Sequence, residues 1–301
     1  MRILVTDGMD KEAMEQLRAN GHEVVEQFYE PDQLGAALRE FDAVVVRSAT
    51  KVRAAQIDAA KGGKLRLVIR AGVGVDNIDV DYAQANGLTV KNTPRASSNA
   101  VAELAMAHMF SCARYISVAG HSMREGKWEK KAYGKGVELS GKTLGIIGYG
   151  RIGQTLGRMA QAFGMKVLAY DIFHVEGVEC ETMKYVEMDE LLEKSDFISL
   201  HTPAIDGKPL INRENIAKMK TGVIFINTSR GNNVDEAALL EGLESGKIRS
   251  AGLDVWAEEP AKNQALYSHP MVSCTPHIGA STKEAQHRIG LEIVEIIQSF
   301  T

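Results

Sequence analysis

Almost from end to end, short runs of β-branched and aliphatic residues alternate with stretches in which apolar positions recur every three or four residues. Runs of the first kind are strands buried on both faces, and the stretches between them are helices that cover those faces. The pattern therefore predicts an α/β protein with parallel sheets. In the first third the strands are "RILVTD", "HEVVEQ", "FDAVVVRS", "LRLVIRAG" and "LTVKNTP", and residues 11–20 read as a helix closed by Gly21. This group forms a compact flavodoxin-like unit. Residues 97–117, "SSNAVAELAMAHMFSCARYIS", contain neither Gly nor Pro and predict one long helix with Ser or Asn at its start. It is apolar over much of its circumference, so it is expected to lie between domains or against a partner chain. A second series of strands follows: "KTLGIIGYG", "KVLAYD", "DFISLHTP", "GVIFINTSRG", "SAGLDVW" and "MVSCTPH". Residues 282–300 then predict a helix that returns to the first domain. The expected division is a discontinuous domain, 1–96 plus 283–301, around a second domain, 97–282.

The second series opens on "LGIIGYGRIGQTLGRMAQAFG", a strand, then Gly148, Gly150 and Gly153, then a helix. The first glycine permits a tight turn, the second lets a pyrophosphate approach the backbone, and the third lets helix pack on strand. The helix N-terminus offers free N–H groups to the anion. The next strand ends at Asp171, about 20 residues beyond Gly148, where an acid accepts hydrogen bonds from ribose hydroxyls and repels a 2′-phosphate. No arginine follows it in Ile172, Phe173 and His174. Residues 97–282 are thus expected to form a doubly wound Rossmann domain that binds NAD rather than NADP.

Ligands of such sheets sit at the carboxyl ends of the strands. Three strands of this series deliver Arg230, then Asp254 and Glu259, then His277 to that edge. Oxidising a secondary alcohol with NAD removes a hydride from carbon and a proton from oxygen, and histidine is the side chain whose basicity suits that proton at neutral pH. A carboxylate on the other ring nitrogen fixes the tautomer, and Glu259 is the candidate. Arginine holds a carboxylate at two points and polarises the neighbouring oxygen, so Arg230 points to an α-hydroxy acid. Considered singly, each of these residues has an ordinary structural explanation. Their convergence beside a nucleotide loop does not.

Composition narrows the picture. The 301 residues suffice for two domains, and 45% apolar with 25% charged residues is a globular balance. A net charge of -4 argues against nucleic acid as partner. No apolar run approaches the ~20 residues of a membrane span, and the N-terminus enters a strand without a secretory pattern, so a cytoplasmic protein is expected. The three cysteines are odd in number and lack CxxC spacing, and the eight histidines lack ligand spacing. All three cysteines are expected to be buried small hydrophobes, and no metal is expected.

The motifs "LGIIGYGRIG", "HTP", "INTSRGNNVDEAAL", "GLDVWAEEP" and "TPHIGAST" resemble the D-isomer-specific 2-hydroxy-acid dehydrogenase family over nearly the whole chain. "HIGASTKEAQ", "RAGVGVDNID" and "GKWEKK" are most similar to its phosphoglycerate dehydrogenase branch. The resemblance implies catalysis by Arg230, Glu259 and His277. It implies cofactor contacts at Arg151 and Ile152, at Thr202 and Pro203 on the adenosine side, at Thr228, at Asp254 for the carboxamide, and at Gly279. The substrate carboxylate would meet the backbone of Val73 and Gly74, an N–H nest after a strand. By the same resemblance Arg47, Ser48 and Lys130 would hold a substrate phosphate, Lys130 even from a partner subunit. The implied reaction is oxidation of 3-phospho-D-glycerate to 3-phosphohydroxypyruvate in serine synthesis, with glyoxylate or hydroxypyruvate reduction as the alternative. The implied assembly is a homodimer. A regulatory, serine-binding domain is not expected in a chain that ends after the last helix. A nucleotide-sensing binding protein of the same fold is the competing class, and it would need a peptide-binding groove.

Overall fold

The computed structural model describes residues 1–205 and 207–300. Residue 301, at the end of the expected return segment, lies outside them. The chain divides into two compact units, Met1–Ser98 with the segment from Ala280 onward, and Asn99–Gly279.

The first unit carries five parallel strands, β1 (Arg2–Val5), β2 (Glu23–Glu26), β3 (Ala43–Val46), β4 (Leu67–Arg70) and β5 (Thr89–Asn92), in the order β2-β1-β3-β4-β5. These are the expected runs, in the flavodoxin-like order. Strand β3, AVVV, is buried throughout, as a strand covered on both faces must be. One face packs Leu17, Ile289, Ile293 and Ile297 from the helices Lys11–Ala19 and Lys283–Phe300. The other packs Leu34, Leu38 and Ile57 from the helices Pro31–Leu38 and Ala54–Ala60. The return helix starts one residue later than expected, where the Thr282 hydroxyl accepts the Ala285 N–H at 3.0 Å as an N-cap.

The second unit has seven parallel strands: β6 (Thr143–Ile147), β7 (Lys166–Tyr170), β8 (Met183–Tyr185), β9 (Phe197–Leu200), β10 (Val223–Asn227), β11 (Ile248–Leu253) and β12 (Val272–Cys274). Their order is β12-β11-β10-β9-β6-β7-β8. The chain runs outward from β6 to β8 and then crosses back to place β9 beside β6. That reversal is the point where doubly wound sheets open a crevice for ligands. Strand β8 is not among the expected ones, because three residues are too few to show a period.

The helix expected over 97–117 is two helices, Ser98–Arg114 and Ile116–Arg124, parted at Tyr115, whose φ of 58° is left-handed. Neither glycine nor proline marks the break. Ala102, Ala105, Met109 and Ala113 of the first helix pack with Ile146, Ile224 and Ile226 on one face of the unit's own sheet, which accounts for the apolar circumference without a second chain. Only Cys112 is buried. Cys180 and Cys274 are exposed, against expectation, because they lie in a loop and at the end of an edge strand that the covering layers do not reach. Among the described residues no helix is long and apolar enough to cross a membrane.

Candidate active site

The three glycines of the β6 turn have three different surroundings. Gly148 has φ +92°, and a Cβ there would lie 2.7 Å from the carbonyl of His201. The cause is register: Ile147 pairs with Leu200, so the residues leaving β6 and β9 run side by side. A Cβ on Gly153 would lie 2.3 Å from the Gly148 oxygen, so only glycine lets the helix Arg151–Ala162 sit against the turn. Gly150 faces open space. Its missing side chain serves no internal packing and leaves the helix N-terminus accessible to an anion. Arg151 is exposed there, and Ile152 packs inward on the core. Asp171, just beyond β7, accepts the Tyr149 N–H at 2.6 Å and the Phe173 N–H at 3.0 Å, which ties the acid to the glycine turn.

Thr202 and Pro203 follow β9. The fully buried Asn233 donates to the Thr202 hydroxyl at 3.0 Å and to the Pro203 carbonyl at 2.7 Å, and its oxygen accepts the Ile205 N–H. Among the described residues the buried Thr228 hydroxyl has no hydrogen-bond partner, and it is a polar atom that a bound ribose or amide would satisfy. With the open Gly150 and the tied Asp171, these groups fit a dinucleotide.

Strands β10, β11 and β12 end level with one another, since Asn227 pairs with Leu253 and Leu253 with Cys274. Arg230, Asp254 and His277 therefore emerge on one edge. Asn227 shapes the first exit by accepting from the Ser229 N–H and hydroxyl and donating to the Arg230 carbonyl. A Cβ at Gly231 would lie 2.0 Å from the Trp256 carbonyl, so glycine brings this turn against the exit of β11. Arg230 donates to the Ser229 carbonyl at 2.6 Å.

His277 has a φ of 53°, a left-handed conformation rare for a residue with a side chain. Its Nδ1 lies 2.7 Å from Oε2 of Glu259, whose other oxygen accepts the Trp256 N–H at 3.3 Å. The Glu259–Pro260 peptide is cis. Burial pushes the Glu259 carboxyl up. The hydrogen bond and charge of His277, the Trp256 N–H and the Arg230 charge outweigh it and hold the carboxyl below the usual carboxylate range. Asp254, 1% exposed, is wholly engaged with the loop at 275–279, and Gly279 is buried against it.

The residues expected to hold substrate are divided between the units. Arg47 and Ser48 follow β3 in a loop pinned by Asp7, which accepts the Arg47 N–H at 2.7 Å and the Thr50 N–H and hydroxyl. Asn77 donates to the carbonyls of Arg47 and Thr50, each at 2.7 Å. The half-buried Arg47 guanidinium makes no hydrogen bond or ion pair among the described residues. Nor do the N–H groups of Val73 and Gly74 donate to any described residue, which leaves the nest after β4 free. Lys130 is in the second unit, exposed in a turn-rich stretch. The described residues hold one His and carboxylate cluster of ligand-like compactness, Asp10, Glu12 and His287 in the first unit. There the His287 Nδ1 faces Asp10 at 3.3 Å and Glu12 at 3.6 Å, an ion-pair geometry.

Sequence reading missed Asn227, Asn233, Asp7 and Asn77. Asp7 and Asn227 stand where an apolar run stops, whereas Asn77 and Asn233 lie in the turns that follow β4 and β10, where the sequence carries no signal of their contacts.

Residues 106–279 match the NAD-binding domain of D-isomer specific 2-hydroxyacid dehydrogenases. The chain is 51% identical, over 98% of its length, to a hydroxypyruvate reductase of Thermotoga maritima, covering 97% of that protein. Over 99% of its length it is 44% identical to a D-3-phosphoglycerate dehydrogenase of Methanocaldococcus jannaschii, of which it spans only 57%. A glyoxylate reductase from Paecilomyes thermophila, 31% identical, has the same fold at a TM-score of 0.89, with 99% of this chain and 94% of that one covered.

Proposed function

The chain belongs to the NAD-dependent D-isomer specific 2-hydroxyacid dehydrogenase family, and from that premise we propose that it interconverts a short D-2-hydroxy acid and its 2-keto acid, with Arg230, Glu259 and His277 as catalytic residues. The observation that carries this reading is the 2.7 Å pair of His277 and Glu259 at the strand edge that also bears Arg230. NAD, when bound, supplies the hydride acceptor, and NADH the donor. Gly150, Asp171, Thr202, Thr228 and the N-terminus of the helix Arg151–Ala162 hold the dinucleotide.

Glu259 sits below the usual carboxylate range and is ionised at neutral pH, so the His277 Nδ1–H donates to it and Nε2 is left as the base. Nε2 takes the hydroxyl proton as the hydride leaves, and Glu259 stabilises the imidazolium. In the reverse direction His277 returns the proton to the keto oxygen. Arg230 grips the substrate carboxylate and polarises that oxygen. The free N–H groups of Val73 and Gly74 offer a second carboxylate anchor.

For the substrate, the Arg47 guanidinium, without a partner among the described residues, favours a phosphorylated acid, 3-phospho-D-glycerate and its keto form, since a half-buried cation of that kind suits an anion. The second reading, hydroxypyruvate, is favoured by the 51% identity to a reductase of that name. NADH consumption with 3-phosphohydroxypyruvate, hydroxypyruvate and glyoxylate, repeated with Arg47→Ala, separates the two. The first reading expects preference for the phosphorylated acid and its loss by 10-fold or more (roughly one charge-assisted contact) in the variant. Equal turnover of the unphosphorylated acids, indifferent to Arg47, selects the second. Exposed Ile116, Met123 and Trp128 support pairing of two copies through that segment, which light scattering of a Trp128→Glu variant checks.

A further inference from the structure

His108, in the helix Ser98–Arg114, takes no part in this chemistry, yet it is 3% exposed and held by both ring nitrogens. Its Nδ1 lies 3.0 Å from the Ser273 hydroxyl and its Nε2 3.1 Å from that of Thr275. Strand β11 makes room for it: a Cβ on Gly252 would lie 2.6 Å from the His108 Cβ. The next link is the Thr275 hydroxyl, which donates to Oδ1 of Asp254 at 2.6 Å. Asp254 in turn holds three consecutive residues. Its carboxylate accepts the N–H groups of Ile278 and Gly279, and its carbonyl accepts that of His277, all at 2.8 Å. Those bonds fix the left-handed His277, a strained conformation that persists only where its surroundings over-determine it.

The proton positions along this chain follow from its end. A carboxylate only accepts, so the Thr275 proton points at Asp254 and a Thr275 lone pair is left to accept from His108. His108 therefore carries its proton on Nε2, and its bare Nδ1 accepts from the Ser273 hydroxyl. Burial, opposed in part by the Asp254 charge, pulls the imidazole below the usual histidine range, so it stays neutral.

We propose that His108 is a positioning residue which, through Thr275 and Asp254, fixes the backbone at 277–279 and so the aim of His277. The inference rests on the catalytic reading of His277 given above. If the site needed only volume behind β12, leucine would fill it without two buried polar contacts to satisfy.

The test compares His108→Leu, His108→Gln, Thr275→Val and the double variant His108→Leu/Thr275→Val, with His277→Ala as reference, by kcat, keto-acid KM, NADH affinity and the 15N shifts of the His108 ring. His108→Leu and Thr275→Val are each expected to lower kcat on the order of 10- to 100-fold, as misaimed catalytic groups do. KM and NADH affinity should change by no more than about twofold, and the double variant should be no worse than the worse single, because both act through one chain. His108→Gln keeps a donor toward Thr275 and is expected to recover most of the rate. The ring should read as the neutral Nε2–H tautomer at neutral pH. Thr275→Val, an isosteric change, carries the test if His108→Leu does not fold. Wild-type kcat in both singles, additive losses in the double, no recovery with glutamine, or an Nδ1–H tautomer overturns the inference. If His277→Ala keeps its turnover, the catalytic reading itself fails, and the inference with it. An inactive His277→Ala beside an unimpaired Thr275→Val sinks the positioning role alone.

Discussion

In the proposed reaction the chemistry turns on His277 and Glu259, and their geometry makes unequal demands on the two side chains. His277→Ala removes the proton acceptor and is expected to lower kcat by roughly 10²- to 10⁴-fold, the usual contribution of general acid–base catalysis. NADH affinity should be unaffected, since the glycine turn and Asp171 are untouched; a fluorescence titration of NADH beside steady-state rates checks both. Loss of binding together with rate would mark a structural histidine. Glu259→Gln keeps an acceptor for the Nδ1–H but loses the charge that stabilises the imidazolium, so its loss of kcat is expected to be smaller than that of His277→Ala. The sign with pH follows from the depressed carboxyl of Glu259. Its ionised form persists as pH falls through the ordinary carboxylate range near ~4.3 and is lost only below it. The contribution of the pair to stability is therefore present above that range and disappears in stronger acid.

At the scale of elements, the glycine turn separates folding from binding in a way that substitution can read. Gly148→Ala meets both a φ of +92° and the His201 carbonyl, and Gly153→Ala drives a Cβ into the turn that precedes its helix. Both are expected to lower the melting temperature, by several degrees for a loss of ~1–3 kcal/mol. Gly150→Ala has φ −72° and open space before it, so the melting temperature should hold while NADH affinity drops; a scan with and without NADH distinguishes the three. This contrast was half legible in the chain. The spacing of the three glycines, the acid after β7 and the polar residues after β10, β11 and β12 were all readable, because period and strand-end position put them there. The return helix was readable from its periodic pattern over 282–300. The break at Tyr115 was not, since a left-handed tyrosine leaves no mark in composition. Nor was β8, whose three residues are paired only because β7 lies beside them. The second rank of polar residues, Asn227, Asn233 and His108, is set by which strand lands beside which. Crossover topology decides that, and local pattern does not.

Across the whole molecule, each unit has a core of its own, and the two imidazoles shielded enough to matter for acid stability, His108 and the partly buried His201, lie in the second. His201 follows β9 with its Nε2 2.8 Å from the Ser199 hydroxyl and its Nδ1 sealed without a partner among the described residues. Protonation would place an unpaired N–H and a charge inside the fold, and burial pulls its pKa down to about 4. His108 is shifted in the same direction. A folded-state pKa below the unfolded one means that, as pH falls below ~6.5, the unfolded chain binds protons that the folded chain refuses. Stability is then full above ~6.5 and is lost progressively toward about 4, by about 3 kcal/mol for His201 alone at 1.36 kcal/mol per unit. The urea midpoint is expected to slide downward over that window. His201→Asn, which keeps a partner for Ser199 but does not titrate, should flatten the slide while lowering the plateau at neutral pH by less than the acid loss it removes. An unchanged slope in that variant would place the acid sensitivity elsewhere, with the carboxylate pairs of the surface as the groups to test next.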